Sequence, residues 1–334
     1  MTRYATILST GHYLPEIEYS NAMMKEKLAQ VSPKLAGVVD KFEESSGIKT
    51  RWLAPADCVT SDLAAYAAQD ALKKAGIKAE EIDMILLGTD SPDYLTPATS
   101  VVVQHKIGAK NTGTYDIGCA CASFPTGLAS AAGLLAANPW MKYILVIGSY
   151  MMSRLSDPLD VSSFFYGDGA GAAVVGVDNQ PGFVASTYLA DGSYHKYWGI
   201  YSGGTYEPAS VESVQAGRTK VRLLERYPPE VNHEGWPKLM RDLAVKGNYD
   251  LQEVDMALFT QVRLPSIYLV MEDLGLPIEK THWIMDRWGY TGSACIPMVL
   301  DDALEQGKIH SGDLLTLVGS GVGYNQAAVA FRMS

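Results

Sequence analysis

Three short segments in the first half of this chain recur, in the same order, in its second half. The paired segments are residues 81–87 and 253–259, 143–149 and 314–320, and 169–175 and 325–331. The first pair reads EIDMILL and EVDMALF, and the second reads YILVIGS and LLTLVGS. Self-similarity of this kind indicates that one supersecondary arrangement occurs twice. The chain is therefore predicted to fold as two halves with a similar order of helices and strands.

The repeated segments have the pattern of buried strands. They are short, apolar and rich in β-branched residues, and the second pair ends in Gly-Ser. Apolar residues at helical spacing precede the first pair, over residues 61–76 in one half and 237–247 in the other. Strands that alternate with helices predict an α/β architecture in which helices cover the faces of the sheets.

The join between the halves is placed near residue 178, which gives an N-terminal half of 1–177 and a C-terminal half of 178–334. Residues 195–232 are rich in Gly, Pro, Tyr and Ser and have no counterpart in the first half. This stretch is predicted to be an inserted loop region, and such loops are usually functional or mobile. Residues 30–46 are predicted to be a second irregular insertion.

Charge and composition exclude several classes of function. The formal net charge of −10 argues against nucleic acid or an anionic membrane surface as the main partner. The chain has no signal-like start and no run of about 18 apolar residues, so it is expected to be cytoplasmic with reduced thiols. Cys119 and Cys121 are separated by one residue and no second pair completes a tetrahedron, so no metal site is expected.

Cys121 is the candidate nucleophile. It stands between an apolar strand pattern and an Ala- and Gly-rich helix pattern. A helix N-terminus stabilises a thiolate through its dipole and its free backbone N–H groups, which suits attack on a thioester. Taken alone, the same pattern also fits a small buried cysteine with a purely structural role.

The order of motifs around Cys121 resembles that of the β-ketoacyl-[acyl-carrier-protein] synthase III branch of the thiolase superfamily. The resemblance covers essentially the whole chain and is carried by 9–11 (STG), 46–48 (SGI), 148–149 (GS), 157–158 (DP), 167–173 (GDGAGAA), 190–193 (ADGS), 286–289 (DRWG) and 319–321 (GSG). It implies a thiolase-like five-layered αβαβα fold, a homodimer, and an acyl group carried on Cys121.

The resemblance also implies the rest of the site. The acyl donor is expected to be a phosphopantetheine thioester, from coenzyme A or an acyl-carrier protein, with no bound cofactor. The backbone N–H of Cys121 and one from the region of Ser320 and Gly321 are expected to form the oxyanion hole. Thr96, just before a proline, matches a position that closes the acyl tunnel in short-chain relatives, so a longer or bulkier acyl chain is expected here.

Two positions depart from the family. Thr260 stands where the family has a histidine, and Tyr290 stands where it has an asparagine. The family pair stabilises the carbanion formed when a malonyl unit loses carbon dioxide, and neither Thr nor Tyr carries positive charge at neutral pH. Standard malonyl decarboxylation is therefore not expected. His233, after the inserted loop, is a candidate replacement base, with a solvated or capping role as the alternative.

The positions that grip coenzyme A in the family are changed as well, to about Lys41 and Ser45. This change favours an acyl-carrier protein as donor, and an acidic carrier requires a basic patch on this acidic chain. The candidate docking residues are Arg263, Arg222, Lys220 and Arg226. Ordinary solvated charges remain the alternative interpretation.

Three functions follow in order of preference. The first is an acyltransferase of specialised, fatty-acid-derived or polyketide metabolism, in which Cys121 passes an acyl group to an amine, hydroxyl, thiol or activated carbon. The second is a condensing enzyme that joins two acyl chains, with Thr260, Tyr290 or the substrate replacing the missing pair. The third is a catalytically silent partner subunit, against which the retention of Cys121 argues.

Overall fold

The computed structural model describes residues 4–180, 182–228 and 230–334. The strands are β1 (Tyr4–Tyr13), β2 (Ile17–Ser20), β3 (Thr50–Leu53), β4 (Met84–Gly88), β5 (Gly113–Ile117), β6 (Tyr143–Tyr150), β7 (Gly169–Asp178), β8 (Phe183–Ala190), β9 (Trp198–Gly199), β10 (Arg222–Leu223), β11 (Met256–Phe259), β12 (Leu314–Gly321) and β13 (Asn325–Arg332). The α-helices are α1 (Asn21–Ala29), α2 (Pro33–Ser46), α3 (Thr60–Ala75), α4 (Thr99–Ile107), α5 (Ser123–Ala137), α6 (Met152–Leu155), α7 (Val211–Gln215), α8 (Glu230–His233), α9 (Gly235–Gly247), α10 (Leu264–Asp273), α11 (Met285–Trp288) and α12 (Cys295–Glu305).

The two main sheets share one strand order over four strands, and β5 of the first has no counterpart in the second. The first runs β1-β7-β6-β4-β5, and the second, taken in the matching direction, runs β8-β13-β12-β11. In both sheets the strands from the first repeated pair, β4 and β11, lie parallel to those from the second, β6 and β12. The strands from the third pair, β7 and β13, run antiparallel to them. The prediction of two pseudo-duplicated halves is confirmed, whereas the domain boundary near residue 178 stays a prediction.

The helices and sheets stack in five layers. Helix α3 packs on the outer face of the first sheet and α9 on the outer face of the second. Helices α5 and α12 lie between the sheets and contact strands of both. Residues 120–137, which include α5, have the length and apolarity of a membrane span, but 61% of this window is buried inside the fold. Helix α5 is therefore a core helix. The predicted αβαβα architecture is confirmed.

The prediction for residues 30–46 is wrong. Residues 33–46 form the regular helix α2, with Pro33 in its first turn and Gly47 closing it in the left-handed region at φ 85°. Leu35, Val39 and Phe42 follow at helical spacing and pack in one small core with residues of α1. Among the described residues of 195–232 the strands and α-helices are short, namely β9, β10, α7 and most of α8. That this stretch is an inserted loop region stays a prediction.

Gly171 in the predicted glycine-rich motif lets a central helix approach the first sheet. It lies on β7, and a Cβ at this position would be 2.7 Å from the backbone N of Met298 on α12. That distance is shorter than real Cβ contacts, and the neighbour is backbone rather than a flexible side chain. Helix α12 packs closely on β7 because glycine occupies this position.

We predict that Gly171→Ala lowers the free energy of unfolding by about 1–3 kcal/mol, because the added methyl group overpacks this contact. Gly133→Ala is the matched control. Gly133 lies exposed in α5, and a methyl group added there would meet no atom within 4 Å, so alanine should raise the free energy of unfolding by about 0.5–1 kcal/mol. Urea denaturation followed by circular dichroism measures both changes. A Gly171→Ala protein as stable as the wild type would contradict this packing.

Candidate active site

A tight turn at the end of β5 carries Cys121. Residues 120–122 form a 3₁₀ turn, and α5 begins at Ser123. The Ser123 hydroxyl accepts the backbone N–H of Cys119 at 3.0 Å and donates to the carbonyl of Ile117 at 3.0 Å. These bonds fix the strand-to-helix corner, and the predicted position of Cys121 at the start of a helix is confirmed. The cysteine itself is 2% exposed.

Tyr290 meets Cys121 from the second half of the chain. It follows α11, and its backbone is held by hydrogen bonds from its N–H to Phe165 O at 2.8 Å and from Gly167 N–H to its carbonyl at 2.9 Å. A hydrogen bond joins the Tyr290 hydroxyl to the Cys121 sulfur. The tyrosine ring packs with that of Tyr150, with centroids 5.8 Å apart. The structure thus brings together two residues that the sequence singled out separately.

The predicted thiolate is not supported by the resting structure. Burial raises the pKa of the Cys121 thiol well above its usual value, and the nearby Cys295 and Asp90 raise it further. The hydrogen bond from Tyr290 and the backbone N–H of Cys121 lower the pKa, but by less than burial raises it. The helix-start argument is wrong for this state, because the cost of burying a charge exceeds the stabilisation from the helix end. At neutral pH these effects favour the protonated thiol of Cys121 in the resting structure.

Thr260 and Ser320 meet beside the nucleophile turn. Thr260 directly follows β11, and its hydroxyl accepts the backbone N–H of Ser320 at 2.8 Å. A Cβ at Gly319 would lie 2.6 Å from the carbonyl oxygen of Cys121, so β12 runs directly against the nucleophile turn. Gly321 ends β12, where it is opposite Asn325. The oxyanion hole stays a prediction, and in the resting structure the Ser320 N–H is already bonded.

His233 is turned toward a helix rather than toward the thiol. Its Nε2 is 3.1 Å from the Ser266 hydroxyl on α10. The adjacent Asn232 instead reaches the site, because its side-chain oxygen accepts the Ser320 hydroxyl at 2.8 Å. His233 as a base therefore stays a prediction that this arrangement does not favour.

The remaining predicted residues lie on the surface. Arg263 is exposed, and its Nε–H donates to the carbonyl of Ser45 at the end of α2, at 3.3 Å. Arg222 is exposed on β10, which pairs with β9 in the inserted region. Thr96 is exposed on the loop between β4 and α4, so within a single chain it lines no buried tunnel. The docking and tunnel roles of these residues stay predictions.

Asp90 belongs to this centre and was missed from the sequence. It follows β4 by two residues, and its carboxylate interacts electrostatically with Cys121 and Tyr290. Burial raises the pKa of this carboxyl group to about 6. Its place just beyond the carboxyl end of a predicted buried parallel strand is the signal that could have identified it.

The described residues offer one group of metal-ligand types, His12, Asp301 and Glu305. The ammonium of Lys74 lies among them, 3.0 Å from Asp301 and 2.8 Å from Glu305. This cation satisfies the carboxylates, so the group is an ion-pair network rather than a metal site. Two surface clefts have volumes of about 650 and 690 Å³, and neither is lined by Cys121, Thr260 or Tyr290.

Comparison with known proteins identifies relatives of the whole chain. A family model described as 3-oxoacyl-[acyl-carrier-protein] synthase III matches residues 115–192, and a model of the C-terminal part of that enzyme matches residues 245–333. A β-ketoacyl-[acyl-carrier-protein] synthase III of Syntrophomonas wolfei is 34% identical over 332 residues, which cover 98% of this chain and 96% of the relative.

Solved structures are also similar to this chain over nearly its whole length. The 3-oxoacyl-[acyl-carrier-protein] synthase III of Aquifex aeolicus has a TM-score of 0.86 and 28% identity, and the alignment covers 98% of this chain and 99% of that one. The priming β-ketosynthase of the R1128 polyketide pathway has a TM-score of 0.88 and 25% identity, with 99% and 97% covered.

We predict that Tyr290→Phe slows alkylation of Cys121 by iodoacetamide roughly three- to tenfold at neutral pH. The lost hydrogen bond stabilises the thiolate, so its removal raises the thiol pKa further. In the wild type, the rate should still be rising with pH at about pH 9, because the thiol pKa lies above its usual value. Peptide-resolved mass spectrometry separates Cys121 from the other three cysteines.

Tyr150→Phe is the control for this measurement. It removes a hydroxyl from the same aromatic cluster but leaves the hydrogen bond to the sulfur in place. Its effect on the alkylation rate should be less than about twofold. Equal alkylation rates for Tyr290→Phe and the wild type would show that the hydrogen bond between the hydroxyl and the sulfur does not lower the pKa of the Cys121 thiol.

Proposed function

The chain belongs to the 3-oxoacyl-[acyl-carrier-protein] synthase III family of acyltransferases and condensing enzymes, and within that family we propose an acyltransferase that works without malonyl decarboxylation. Cys121 takes an acyl group from a phosphopantetheine thioester and passes it to an acceptor. The bond between the acyl group and the donor sulfur breaks as the bond to Cys121 forms. The thiol proton leaves with the donor's thiol group.

The observation that carries this proposal is the partner of the Cys121 sulfur. That partner is the neutral hydroxyl of Tyr290, and the other altered position, Thr260, offers a hydroxyl already bonded to Ser320. A carbanion from malonyl decarboxylation needs positive charge or several aligned donors for its stabilisation. Two single hydroxyls stabilise a carbanion less than that. Acyl transfer to a ready-made nucleophile forms no carbanion.

The buried, protonated thiol indicates when the chemistry begins. In the resting structure the Cys121 thiol is 2% exposed and its pKa is raised, so little thiolate exists at neutral pH. Donor binding must therefore open the centre and supply a route for the proton. This order of events limits side reactions of the thiol when no donor is present.

We further propose that the donor is an acyl-carrier protein and that the enzyme is a cytoplasmic homodimer of specialised metabolism. Arg263, exposed beside the end of α2, is the preferred contact for an acidic carrier. Strand β5 is an edge of the first sheet, and on the neighbouring loop Tyr94 is 57% and Leu95 82% exposed. A second copy could pair with this edge and cover these side chains. A monomer mass by light scattering would contradict the homodimer.

We predict that intact-protein mass spectrometry detects an acyl adduct when the protein is incubated with a panel of acyl-carrier-protein and acyl-coenzyme A donors. The adduct should disappear in Cys121→Ala and persist in Cys119→Ala, which removes a neighbouring thiol from the same turn. The donor that gives the fastest adduct identifies the acyl class. Folded protein with no adduct from any donor would favour the silent-partner function instead.

The same assay tests the docking site. Arg263→Glu should slow loading from acyl-carrier proteins by about tenfold or more, because it places like charges at the contact. Loading from acyl-coenzyme A should change little, since that donor has no acidic protein surface. Equal slowing of both donors would point to damage in the site rather than to lost docking.

A further inference from the structure

Asp90 is held at the edge of the Cys121 centre by the topology of the first sheet. Strand β4 lies between β5 and β6 and is parallel to both, with Gly88 level with Ile117 of β5. Strand β5 leads into the turn that carries Cys121, and β6 ends at Tyr150. The carboxyl ends of neighbouring parallel strands meet at one edge of the sheet. Asp90, just beyond β4, therefore lies between the Cys121 turn and Tyr150.

The second half of the chain encloses Asp90 from the other side. Tyr290 leads into the turn of residues 292–294, and the Ser293 hydroxyl is 3.4 Å from the Asp90 carboxylate and 2.9 Å from the carbonyl of Ser149. Among the described residues, the titratable groups whose pKa is affected by the Asp90 charge include Cys121, Tyr150, Tyr290 and Cys295. Burial raises the pKa of each, so at neutral pH all four are uncharged acids that keep their protons.

Asp90 is the group in this centre whose ionisation falls near neutral pH. Burial raises the pKa of its carboxyl group to about 6, against the opposing effects of its own backbone N–H and the Ser293 hydroxyl. The residue as a whole is partly exposed, at the edge of the centre. A carboxylate that is ionised at neutral pH but close to its pKa suits a proton acceptor.

We propose that Asp90 accepts the proton of an incoming amine or hydroxyl as that acceptor attacks the acyl group on Cys121. This inference rests on the proposed acyl-transfer function. The N–H or O–H proton moves to the Asp90 carboxylate while the new C–N or C–O bond forms. The carbon–sulfur bond then breaks, and the Cys121 sulfur regains a proton from Asp90. The products are an amide or ester and the free thiol, with no net change in charge or oxidation state.

The same carboxylate selects against anionic acceptors. Its neighbours are uncharged acids, so a second negative charge in the buried centre would be poorly compensated. A malonyl carboxylate would carry such a charge next to Asp90. A neutral alcohol, or an amine that gives up a proton to the carboxylate, would not. The acceptor class is therefore a protic nucleophile without an adjacent acid group.

The test follows the discharge of a preformed adduct. Cys121 is loaded with a butyryl group from p-nitrophenyl butyrate, and loss of the adduct to glycinamide is followed by intact mass from about pH 5 to about pH 9. Rates are expressed per concentration of unprotonated amine. The wild-type rate should fall as pH drops below about 6, because the carboxylate becomes protonated. Asp90→Asn should lower the rate at about pH 8 by about a hundredfold or more and abolish that fall.

Glycine in place of glycinamide tests the selection against charge. The wild type should prefer glycinamide, and Asp90→Asn should narrow the preference because it removes the repelling carboxylate. A purely structural role for Asp90 would slow both acceptors equally and leave the preference and the pH dependence unchanged.

Asp168→Asn is the matched control. Burial also raises the pKa of Asp168 to about 6, but its carboxylate is bonded to the Ala54 N–H at 2.9 Å and the Ser153 hydroxyl at 2.6 Å. This variant should keep the fall in rate below about pH 6. Alkylation of Cys121 tests whether the site is intact in Asp90→Asn, and its rate should be no slower than in the wild type. If the Asp90→Asn protein does not fold, Asp90→Ser takes its place.

The two proposals fail in different ways. Wild-type rate and pH dependence in a folded Asp90→Asn protein would overturn the role of Asp90 and leave acyl transfer standing. Failure of the wild type to form any adduct, with p-nitrophenyl butyrate or with thioester donors, would overturn acyl transfer and the role of Asp90 with it.

Discussion

The hydrogen bond between the Cys121 sulfur and the Tyr290 hydroxyl joins the two halves of the molecule at the reactive centre. Cys121 comes from the strand-to-helix corner after β5, and Tyr290 comes from the turn after α11 in the second half. Ser293 adds a second link, because its hydroxyl bonds to the carbonyl of Ser149 at the end of β6. The centre therefore exists only when both sheets are assembled around α5 and α12. Because one αβ arrangement is duplicated, the loop that carries Cys121 and the loop that carries Tyr290 meet at the reactive centre.

Burial dominates the electrostatics of this centre. It raises the pKa of Cys121, Tyr150 and Tyr290 well above their usual values, so that none of them is charged at rest. Asp90, at the partly exposed edge, is the group that can change its charge near neutral pH. A centre of uncharged hydroxyls and thiols with one carboxylate is suited to moving protons during acyl transfer. It is poorly suited to stabilising the carbanion that malonyl decarboxylation produces.

Much of the fold could be predicted from the sequence, because strand patterns and their repetition are local signals. The order of β4, β6 and β7 is matched by β11, β12 and β13, as the repeated segments indicated. Helix α2 was missed because Pro33 and nearby small and polar residues obscured its apolar spacing. The predicted thiolate is not supported because the start of a helix is a local signal. The burial that raises the pKa of Cys121 arises from segments that are distant in sequence. Asp90 was missed for the same reason, since its partners lie far away in sequence.

The absence of decarboxylation is measured by offering butyryl-loaded enzyme two acceptors in parallel, malonyl-acyl-carrier protein and glycinamide, and identifying the products by mass. We expect N-butyryl glycinamide from the second reaction and no 3-oxohexanoyl thioester from the first. Release of carbon dioxide should not exceed that of Cys121→Ala. Formation of 3-oxohexanoyl thioester as fast as amide would contradict acyl transfer without decarboxylation, because the centre would then stabilise a carbanion without the histidine and asparagine of its family.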